Sequence, residues 1–262
     1  DLPEVPDLAI VAVAGGGVAE AVRACAAKGV GTAVILSSGF AETGADGAIR
    51  QRELCDLAAR AGMRLVGPNS QGIANFSIGA VANFSTMFTQ TPPRDGPVAI
   101  VSQSGATSAA LYSFLREQDI GVRYVLATGN ESDVSVPEFA LAVARDPAVR
   151  LIVLYMESIR NPELLAKAAE VARARRVPIV ALKAARSPGG AAAALSHTGA
   201  LVNEDRIVDA FFGRHGIWRA RDVASVVQSA ALYLKYGVLA RERSLVVISN
   251  SGSSCVMSAD IA

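Results

Sequence analysis

The chain has 262 residues, of which 51% are hydrophobic and 19% are charged, which is the composition of a globular protein with a sizeable core. Its 25 lysines and arginines balance 24 acidic residues, so neither nucleic acid nor an anionic membrane is an expected partner. No apolar run approaches the roughly 18 residues of a membrane span, and the first residues lack the pattern of a secretory signal. The three scattered cysteines, Cys25, Cys55 and Cys255, are typical of a reducing compartment and predict a cytoplasmic protein.

In the first third of the chain, apolar strands alternate with helices that end at glycine, which predicts parallel βαβ units. The stretch Phe76–Pro93 is less regular and runs into the Pro-rich turn Thr91–Gly96, which we interpret as a domain boundary. The predicted elements here are strands at Leu8–Ala14, Thr32–Leu36 and Arg64–Val66 and helices at Val18–Lys28 and Ile49–Ala61.

A second alternation of strands and helices fills the rest of the chain and predicts a second parallel sheet. In such sheets ligands bind beyond the carboxyl ends of the strands, so the loops after the strands are the places to look for a site. The predicted strands are Val98–Val101, Val122–Thr128, Leu151–Met156, Ile179–Leu182, Ile217–Arg219 and Leu245–Ile248, and the predicted helices are Ala106–Gln118, Val136–Ala144, Pro162–Arg175, Asp205–Phe212, Asp222–Tyr233 and Ser251–Ala262.

One strand–turn–helix pattern occurs twice, as VAIVSQSG and LVVISNSG. In each copy an apolar strand is followed by Ser-x-Ser-Gly and then by a helix, so backbone N–H groups at the helix start lie beside hydroxyls without bulky side chains. Such a helix start favours phosphate. The candidate phosphate-binding residues are therefore Ser104 and Gly105 in the first copy and Ser251 and Gly252 in the second.

A loop of small residues, AAAALSHTGAL, carries His197, one of two histidines in the chain. Because no bulky neighbour packs its imidazole, His197 could serve as a nucleophile or proton carrier, or it could be an exposed histidine without a task. Two phosphate-binding helix starts together with this loop suggest a phosphorylated histidine. Glu157, at the end of a predicted strand, is the candidate acceptor for the second ring nitrogen, or else a surface carboxylate.

These motifs, in this order, resemble the NDP-forming acyl-CoA synthetases, which are relatives of the succinyl-CoA synthetase alpha subunit. The resemblance extends over nearly the whole chain, and SHTGAL with the upstream GNESD loop is its most specific part. The matching motifs are SSGFAE at Ser37–Glu42, GPNSQGI at Gly67–Ile73, VSQSG at Val101–Gly105, GNESD at Gly129–Asp133, the glutamate Glu157, SHTGAL at Ser196–Leu201 and the strand into SNSG.

The resemblance implies that His197 is phosphorylated, that Glu157 supports it, and that Ser104-Gly105 and Ser251-Gly252 open phosphate-binding helices. It also implies that Ser37, Ser38, Gly39 and Asn69 lie at the CoA site. The chain departs from relatives at two positions. Ser70 stands where many have cysteine, and Ala109 stands where the succinate enzymes have tyrosine, which suggests a different acyl pocket.

The implied fold is α/β. Residues 1–94 form the C-terminal part of a Rossmann-like CoA-binding domain, residues 95–238 a flavodoxin-like ligase domain, and residues 239–262 the start of a second such domain. The chain reads as a fragment at both ends. The first half of the CoA-binding domain and the ATP-grasp module, which binds ATP with Mg²⁺, are expected elsewhere. No residues have metal-ligand spacing.

The resemblance implies an acid–thiol ligase that converts a carboxylic acid, CoA and a nucleoside triphosphate to acyl-CoA, NDP and phosphate, through an acyl phosphate and a phosphohistidine. Its expected partners are the acid, CoA and an ATP-grasp domain or subunit, in an oligomer. An alternative is a CoA- or acyl-CoA-binding regulatory module of a protein lysine acetyltransferase. A nicotinamide-dependent oxidoreductase is disfavoured because Gly15–Gly17 lacks the complete dinucleotide-binding spacing.

Overall fold

The computed structural model describes residues 3–187, 189–190, 204–237 and 246–261. His197 and most of its loop therefore lie outside the described residues. Within them, parallel strands and helices form two units, which confirms the α/β fold predicted from the sequence.

The first unit is a small parallel sheet with two helices. Its elements are β1 Leu8–Val11, β2 Thr32–Ile35, β3 Arg64–Val66, α1 Val18–Ala27 and α2 Ala45–Arg60, with short 3₁₀ turns at Gly15–Gly17 and Ala41–Thr43. The strands lie in the order β1-β2-β3. β1 ends three residues before the predicted end at Ala14, and β3 is followed directly by Gly67-Pro68. Val18 and Val22 of α1 and Leu54 of α2 pack on the buried strand residues Ala33 and Leu65.

The second unit is built on a larger sheet. Its parallel strands are Val98–Ser102 (β6), Val122–Ala127 (β7), Leu151–Met156 (β8), Ile179–Lys183 (β9) and Ile217–Arg219 (β10). The central strands β6 and β8 are almost wholly buried, as strands covered on both faces must be.

Helices cover both faces of this second sheet. On one face α5 (Val136–Arg145), α6 (Pro162–Ala174) and α7 (Asp205–His215) form one apolar cluster, and on the other α4 (Gly105–Glu117) and α8 (Val223–Tyr236) form another. Pro162 and the Asn161 cap, which accepts from the Leu164 N–H at 3.0 Å, start α6. None of the helices in the described ranges is long and apolar enough to cross a lipid bilayer.

A β-hairpin begins just before the irregular stretch Phe76–Pro93 and ends within it. Strands β4 (Gly72–Asn75) and β5 (Ala80–Asn83) are antiparallel, and β4 also pairs antiparallel with β7. The described strands of the second sheet thus have the order β10-β9-β8-β6-β7-β4-β5, and the sheet is mixed, not parallel throughout. A short helix, α3 (Met87–Gln90), follows the hairpin. Four-residue strands with Gly, Ala and Asn carry too little apolar alternation to be recognised from sequence. The domain boundary at residue 94 stays a prediction.

The predicted strand at Leu245–Ile248 is wrong for residues 246–248, which form no strand. Val246 is 81% and Ile248 94% exposed. An apolar run becomes a strand only when a neighbouring strand satisfies its backbone, and none of the described segments pairs with these residues. The helix predicted after it is present as α9, Gly252–Ile261.

Candidate functional site

A cavity of about 250 Å³ lies where the loops after β6, β7 and β8 meet the loop between β3 and β4. This is the edge of the sheet at which the carboxyl ends of the parallel strands converge. The cavity is lined by Leu36, Asn69, Ser70, Gln71, Phe84, Gln103, Ser104, Gly105, Ala106, Gly129, Asn130 and Glu157.

The start of helix α4 forms one wall of the cavity. Ser104 is its N-cap, and the Ser104 Oγ accepts a hydrogen bond from the Thr107 N–H at 3.2 Å. The N–H groups of Gly105 and Ala106 have no acceptor within the helix, since they belong to its first turn. A side chain at residue 105 would collide with the loop after β3, because an added Cβ would lie 2.4 Å from the Gln71 Cβ. The sequence therefore leaves a helix start open to an anion.

Glu157 follows β8 and forms the opposite side of the cavity. It is buried, with 8% of its surface exposed, and its Oε1 accepts a hydrogen bond from the Tyr155 hydroxyl at 3.3 Å. Burial and the nearby Glu157 carboxylate raise the pKa of Tyr155 to about 12. Tyr155 therefore stays a hydrogen-bond donor to Glu157 at neutral pH.

The side-chain amide of Gln103 holds the loop after β8 in place through four hydrogen bonds, two accepted by its oxygen and two donated by its nitrogen. Its Oε1 accepts from the backbone N–H groups of Glu157 and Ser158. Its Nε2 donates to the Ser158 carbonyl at 2.9 Å and to the Glu131 carboxylate at 2.5 Å. Gln103 belongs to the VSQSG motif, but its role was not predictable from the sequence, because its partners are 28 to 55 residues away in the chain.

Glu131, in the loop after β7, is the buried carboxylate behind Gln103. Its Oε1 accepts from the Val136 N–H at the start of α5. Burial raises the pKa of Glu131, although hydrogen bonds from Val136 and Gln103 and the positive charge of Arg160 lower it in part. Glu131 thereby connects the loop after β7 to Gln103 in the loop after β6 and to the start of α5.

Lys183, the last residue of β9, is another charged group that the sequence analysis did not assign to the site. It is 1% exposed, and its Nζ donates to the Ala184 carbonyl at 2.7 Å. Burial and the positive charge of Arg219 lower the pKa of Lys183, while Asp205 and Glu157 act in the opposite direction. A buried amine therefore lies at the end of β9, the last described strand before the segment that contains His197.

Asn69 connects the cavity to the turn predicted to contact CoA. Its backbone N–H donates to the Ser37 carbonyl at 2.8 Å, and its Nδ2 donates to the Asn130 Oδ1 at 3.3 Å. The Ser37 hydroxyl in turn donates to the Val13 carbonyl. An added Cβ at Gly15 would lie 2.7 Å from the Ser38 carbonyl oxygen, so the Gly15–Gly17 run allows the first loop to pass close to this turn.

The structure brings together four of the predicted site residues. Asn69, Ser104, Gly105 and Glu157 line one cavity, and Ser37, Ser38 and Gly39 lie in the turn bonded to Asn69. His197 lies outside the described residues.

The second Ser-x-Ser-Gly copy is not among the residues that line the cavity. The Ser251 Oγ lies 2.9 Å from the Ser253 Oγ, and no residue of α9 is buried. Among the residues that the structure describes, no cluster of His, Cys, Asp and Glu could hold a metal ion.

Comparison with known families agrees with this architecture. A family model for the succinyl-CoA ligase-like flavodoxin domain matches residues 95–233, and one for a CoA-binding domain matches residues 1–75. The chain is 37% identical over 259 residues to acetate–CoA ligase [ADP-forming] I of Archaeoglobus fulgidus, and 32% identical over 262 residues to the alpha subunit of acetate–CoA ligase [ADP-forming] I of Pyrococcus furiosus.

The matches include nearly all of this chain but only part of its relatives. They cover 99% and 100% of the chain, and 37% and 55% of those two proteins. A solved structure of the dinucleotide-forming acetyl-coenzyme A synthetase 1 of Ca. Korarchaeum cryptofilum, in complex with phosphate and ADP, is similar with a TM-score of 0.88 and 30% identity. That match covers 99% of this chain and 55% of the solved one. The chain therefore belongs to the succinyl-CoA ligase-like family, as the sequence motifs predicted, with ADP-forming acyl-CoA ligases among its relatives.

Proposed function

We propose that this chain carries the CoA-binding and phosphoryl-transfer parts of an ADP-forming acyl-CoA ligase. The observation that supports this most directly is the convergence of three loops on one cavity. The helix start at Ser104-Gly105, the carboxylate of Glu157 and the amide of Asn69 all line it. A helix start suits a phosphoryl group, and a neighbouring carboxylate suits the second nitrogen of a phosphorylated imidazole.

The proposed reaction divides into two transfers. The γ-phosphoryl group of ATP passes to His197, releasing ADP, and then to the carboxylate of the acid, giving an acyl phosphate. The CoA thiol attacks the acyl carbonyl, and inorganic phosphate leaves. In this scheme Ser104 and Gly105 hold the phosphoryl oxygens, and Glu157 stabilises the charged imidazole ring. Ser251 and Gly252 open the second helix start that contacts the phosphoryl group on His197 in this proposal.

CoA binds at the turn of Ser37, Ser38 and Gly39 and at Asn69 in this proposal. ATP and its Mg²⁺ are bound by an ATP-grasp domain or subunit. The Pyrococcus relative is itself named a subunit alpha, which supports a partner subunit and hence an oligomer. The sparse, unpaired cysteines support a cytoplasmic location.

The test is phosphoryl labelling of the enzyme from both directions. Labelled ATP with Mg²⁺ and the ATP-grasp module, or labelled phosphate with acetyl-CoA, is expected to give an acid-labile, base-stable label on the chain. The His197→Ala variant is expected to take no label. His215→Ala is the matched control, because the His215 ring packs on Phe211 at 4.5 Å at the end of α7, away from the cavity.

Labelling of His197→Ala to the wild-type level would overturn the assignment of the phosphorylated residue. Equal loss of label in His215→Ala would attribute the effect to folding instead. Glu157→Gln keeps the size and the acceptor oxygen but removes the charge. It is expected to slow labelling by about tenfold or more, since a charge-assisted hydrogen bond is replaced by a neutral one.

A further inference from the structure

Glu42 lies in the short 3₁₀ turn Ala41–Thr43, just before α2. Its carboxylate closes the turn that precedes this segment. Its Oε1 accepts hydrogen bonds from the backbone N–H groups of Gly39 at 2.6 Å and of Phe40 at 3.1 Å. The guanidinium of Arg50 donates to the Gly39 carbonyl at 2.8 Å from the other side. Gly39 has a φ of 103°, a conformation that glycine adopts without strain. Both ends of the glycine at the proposed CoA turn are therefore fixed by side chains.

The second oxygen of the same carboxylate reaches the other unit of the chain. The Glu42 Oε2 accepts from the Nδ2 of Asn130, which is 88 residues away in the loop after β7. Asn130 is 5% exposed, and its Nδ2 also donates to the Gln51 Oε1 at 3.0 Å. Its Oδ1 accepts from the Asn69 Nδ2. An unbroken chain of polar contacts runs from the turn, through Asn130, to Asn69 at the cavity.

The direction of this chain of contacts is set by Glu42, because an ionised carboxylate can only accept. Burial raises the pKa of Glu42, but the hydrogen bonds from Asn130, Gly39 and Phe40 outweigh it and lower that pKa below its ordinary value. The carboxylate is thus ionised at neutral pH and holds the Asn130 Nδ2 toward itself, leaving the Asn130 Oδ1 facing Asn69. If the Asn130 amide were rotated by half a turn, its Nδ2 would face the Asn69 Nδ2, which is also a donor. Its Oδ1 would then face the Gln51 Oε1, which is also an acceptor.

We propose that Glu42 is a positioning residue that couples the CoA turn to the phosphate cavity through Asn130. Neither side chain needs to touch the reacting atoms. Their role is to keep the turn at Ser37–Phe40 and the loop at Gly129–Glu131 in one fixed arrangement, so that bound CoA meets the start of α4. This inference rests on the proposed function for the identity of the ligand, but the link between the two loops stands on the structure alone.

The test is a reciprocal exchange of donor and acceptor. In Glu42→Gln the new amide nitrogen faces the Asn130 nitrogen, and in Asn130→Asp two carboxylates face each other. In the double variant the amide introduced at position 42 donates to the carboxylate introduced at position 130, which restores the contact between these two positions with reversed polarity. The contact to the Gln51 Oε1 stays lost, as it is in Asn130→Asp alone. Glu53→Gln is the matched control, because Glu53 is an exposed residue of α2.

Hydrogen exchange measured by mass spectrometry reports the link without requiring any ligand. Each single variant is expected to exchange about tenfold or more faster than wild type over residues 37–43 and 128–134 together, since each loses a buried charge-assisted hydrogen bond. The double variant is expected to be better protected than either single variant, because the contact between positions 42 and 130 is restored. If both single variants exchange like Glu53→Gln, or if the double variant is no better protected than either single one, the coupling is refuted. Should Glu42→Gln fail to fold, Asn130→Asp and the double variant still decide the question.

Calorimetric titration of CoA into the full-length protein, wild type and variants, then tests the functional part. The single variants are expected to bind CoA about tenfold more weakly than the wild-type chain, and the double variant within about threefold of it. Wild-type affinity in both single variants would refute positioning of the CoA turn even if exchange changes. A wild-type full-length protein that binds no CoA would contradict the proposed function, and the exchange result would still report on the link itself.

Discussion

The two Ser-x-Ser-Gly copies have the same local sequence pattern but different surroundings in the structure. In the first, all five residues of β6 are buried between neighbouring strands, and the helix start lines the cavity. In the second, residues 246–250 are exposed and no residue of α9 is buried. Both copies nevertheless continue into a helix after the Ser-Gly pair.

The difference separates what local sequence decides from what packing decides. A glycine and small polar residues suffice to start a helix, since that step depends on nearby backbone groups. A strand and a ligand cavity need distant segments, which β7, β8 and the loop before β4 provide for the first copy. Equivalent substitutions in the two copies should therefore have unequal effects, and the largest should come where the first copy contacts other segments.

The glycine that begins each helix gives the largest expected contrast. In Gly105→Ala the new Cβ would lie 2.4 Å from the Gln71 Cβ, whereas at Gly252 nothing lies within 4 Å of the added atom. We expect Gly105→Ala to lower the free energy of unfolding by about 1–3 kcal/mol, as overpacking does, and Gly252→Ala to leave it unchanged or slightly raised. Urea denaturation followed by circular dichroism measures both. Equal effects would show that the cavity wall is not rigid.

The residue between the two serines gives the next contrast, between Gln103 and Asn250. The Gln103 amide makes four hydrogen bonds to the loops after β7 and β8, whereas Asn250 is exposed. Gln103→Ala is expected to destabilise the chain by about 2–3 kcal/mol, because buried partners including Glu131 lose their hydrogen bonds. Asn250→Ala is expected to change stability by less than about 0.5 kcal/mol. A cost for Gln103→Ala as small as that for Asn250→Ala would mean that water replaces the lost bonds.

These contacts also explain what the sequence could and could not predict. The strands Leu151–Met156 and Ile217–Arg219 were predicted with the bounds found in the structure, because an apolar run between turn residues is a local signal. Ser104 and Glu157 were selected because each follows a strand, and Asn69 was selected because the family resemblance implies that it lies at the CoA site. The partners of Gln103 and Asn130 could not be predicted, since they lie 28 to 88 residues away in sequence. At residues 246–248 the sequence predicted a strand that the structure does not contain, because an apolar pattern alone supplies no neighbouring strand.

The buried carboxylate of Glu131, which accepts a hydrogen bond from Gln103 of the first copy, should make the stability of the chain depend on pH. The pKa of Glu131 is raised in the folded state, mainly by burial, so its contribution is fully present below the unfolded pKa of about 4.3. It is lost as the pH rises through the folded pKa, at up to about 1.4 kcal/mol per pH unit. Wild type should therefore lose stability relative to Glu131→Gln as the pH rises above about 4.3.

The measurement is the difference in unfolding free energy between wild type and Glu131→Gln across this pH range, by guanidinium denaturation. Asp260→Asn, at an exposed position of α9, is the control in the second copy. A flat difference for Glu131→Gln would mean that the carboxylate is as well stabilised in the folded chain as in water.

The serine that precedes each helix gives the smallest expected contrast. The Ser104 Oγ accepts from the Thr107 N–H at 3.2 Å and so caps α4, while the Ser251 Oγ lies beside another exposed hydroxyl. Ser104→Ala should lower the free energy of unfolding by about 1 kcal/mol, the usual value of an N-cap, and Ser251→Ala by a few tenths at most. Ser104→Asp should retain the cap and its stability but place a negative charge at the proposed phosphate site. Loss of phosphoryl labelling with unchanged stability in Ser104→Asp would therefore separate the anion-binding role of this helix start from its structural one, and undiminished labelling would remove the helix start from the site.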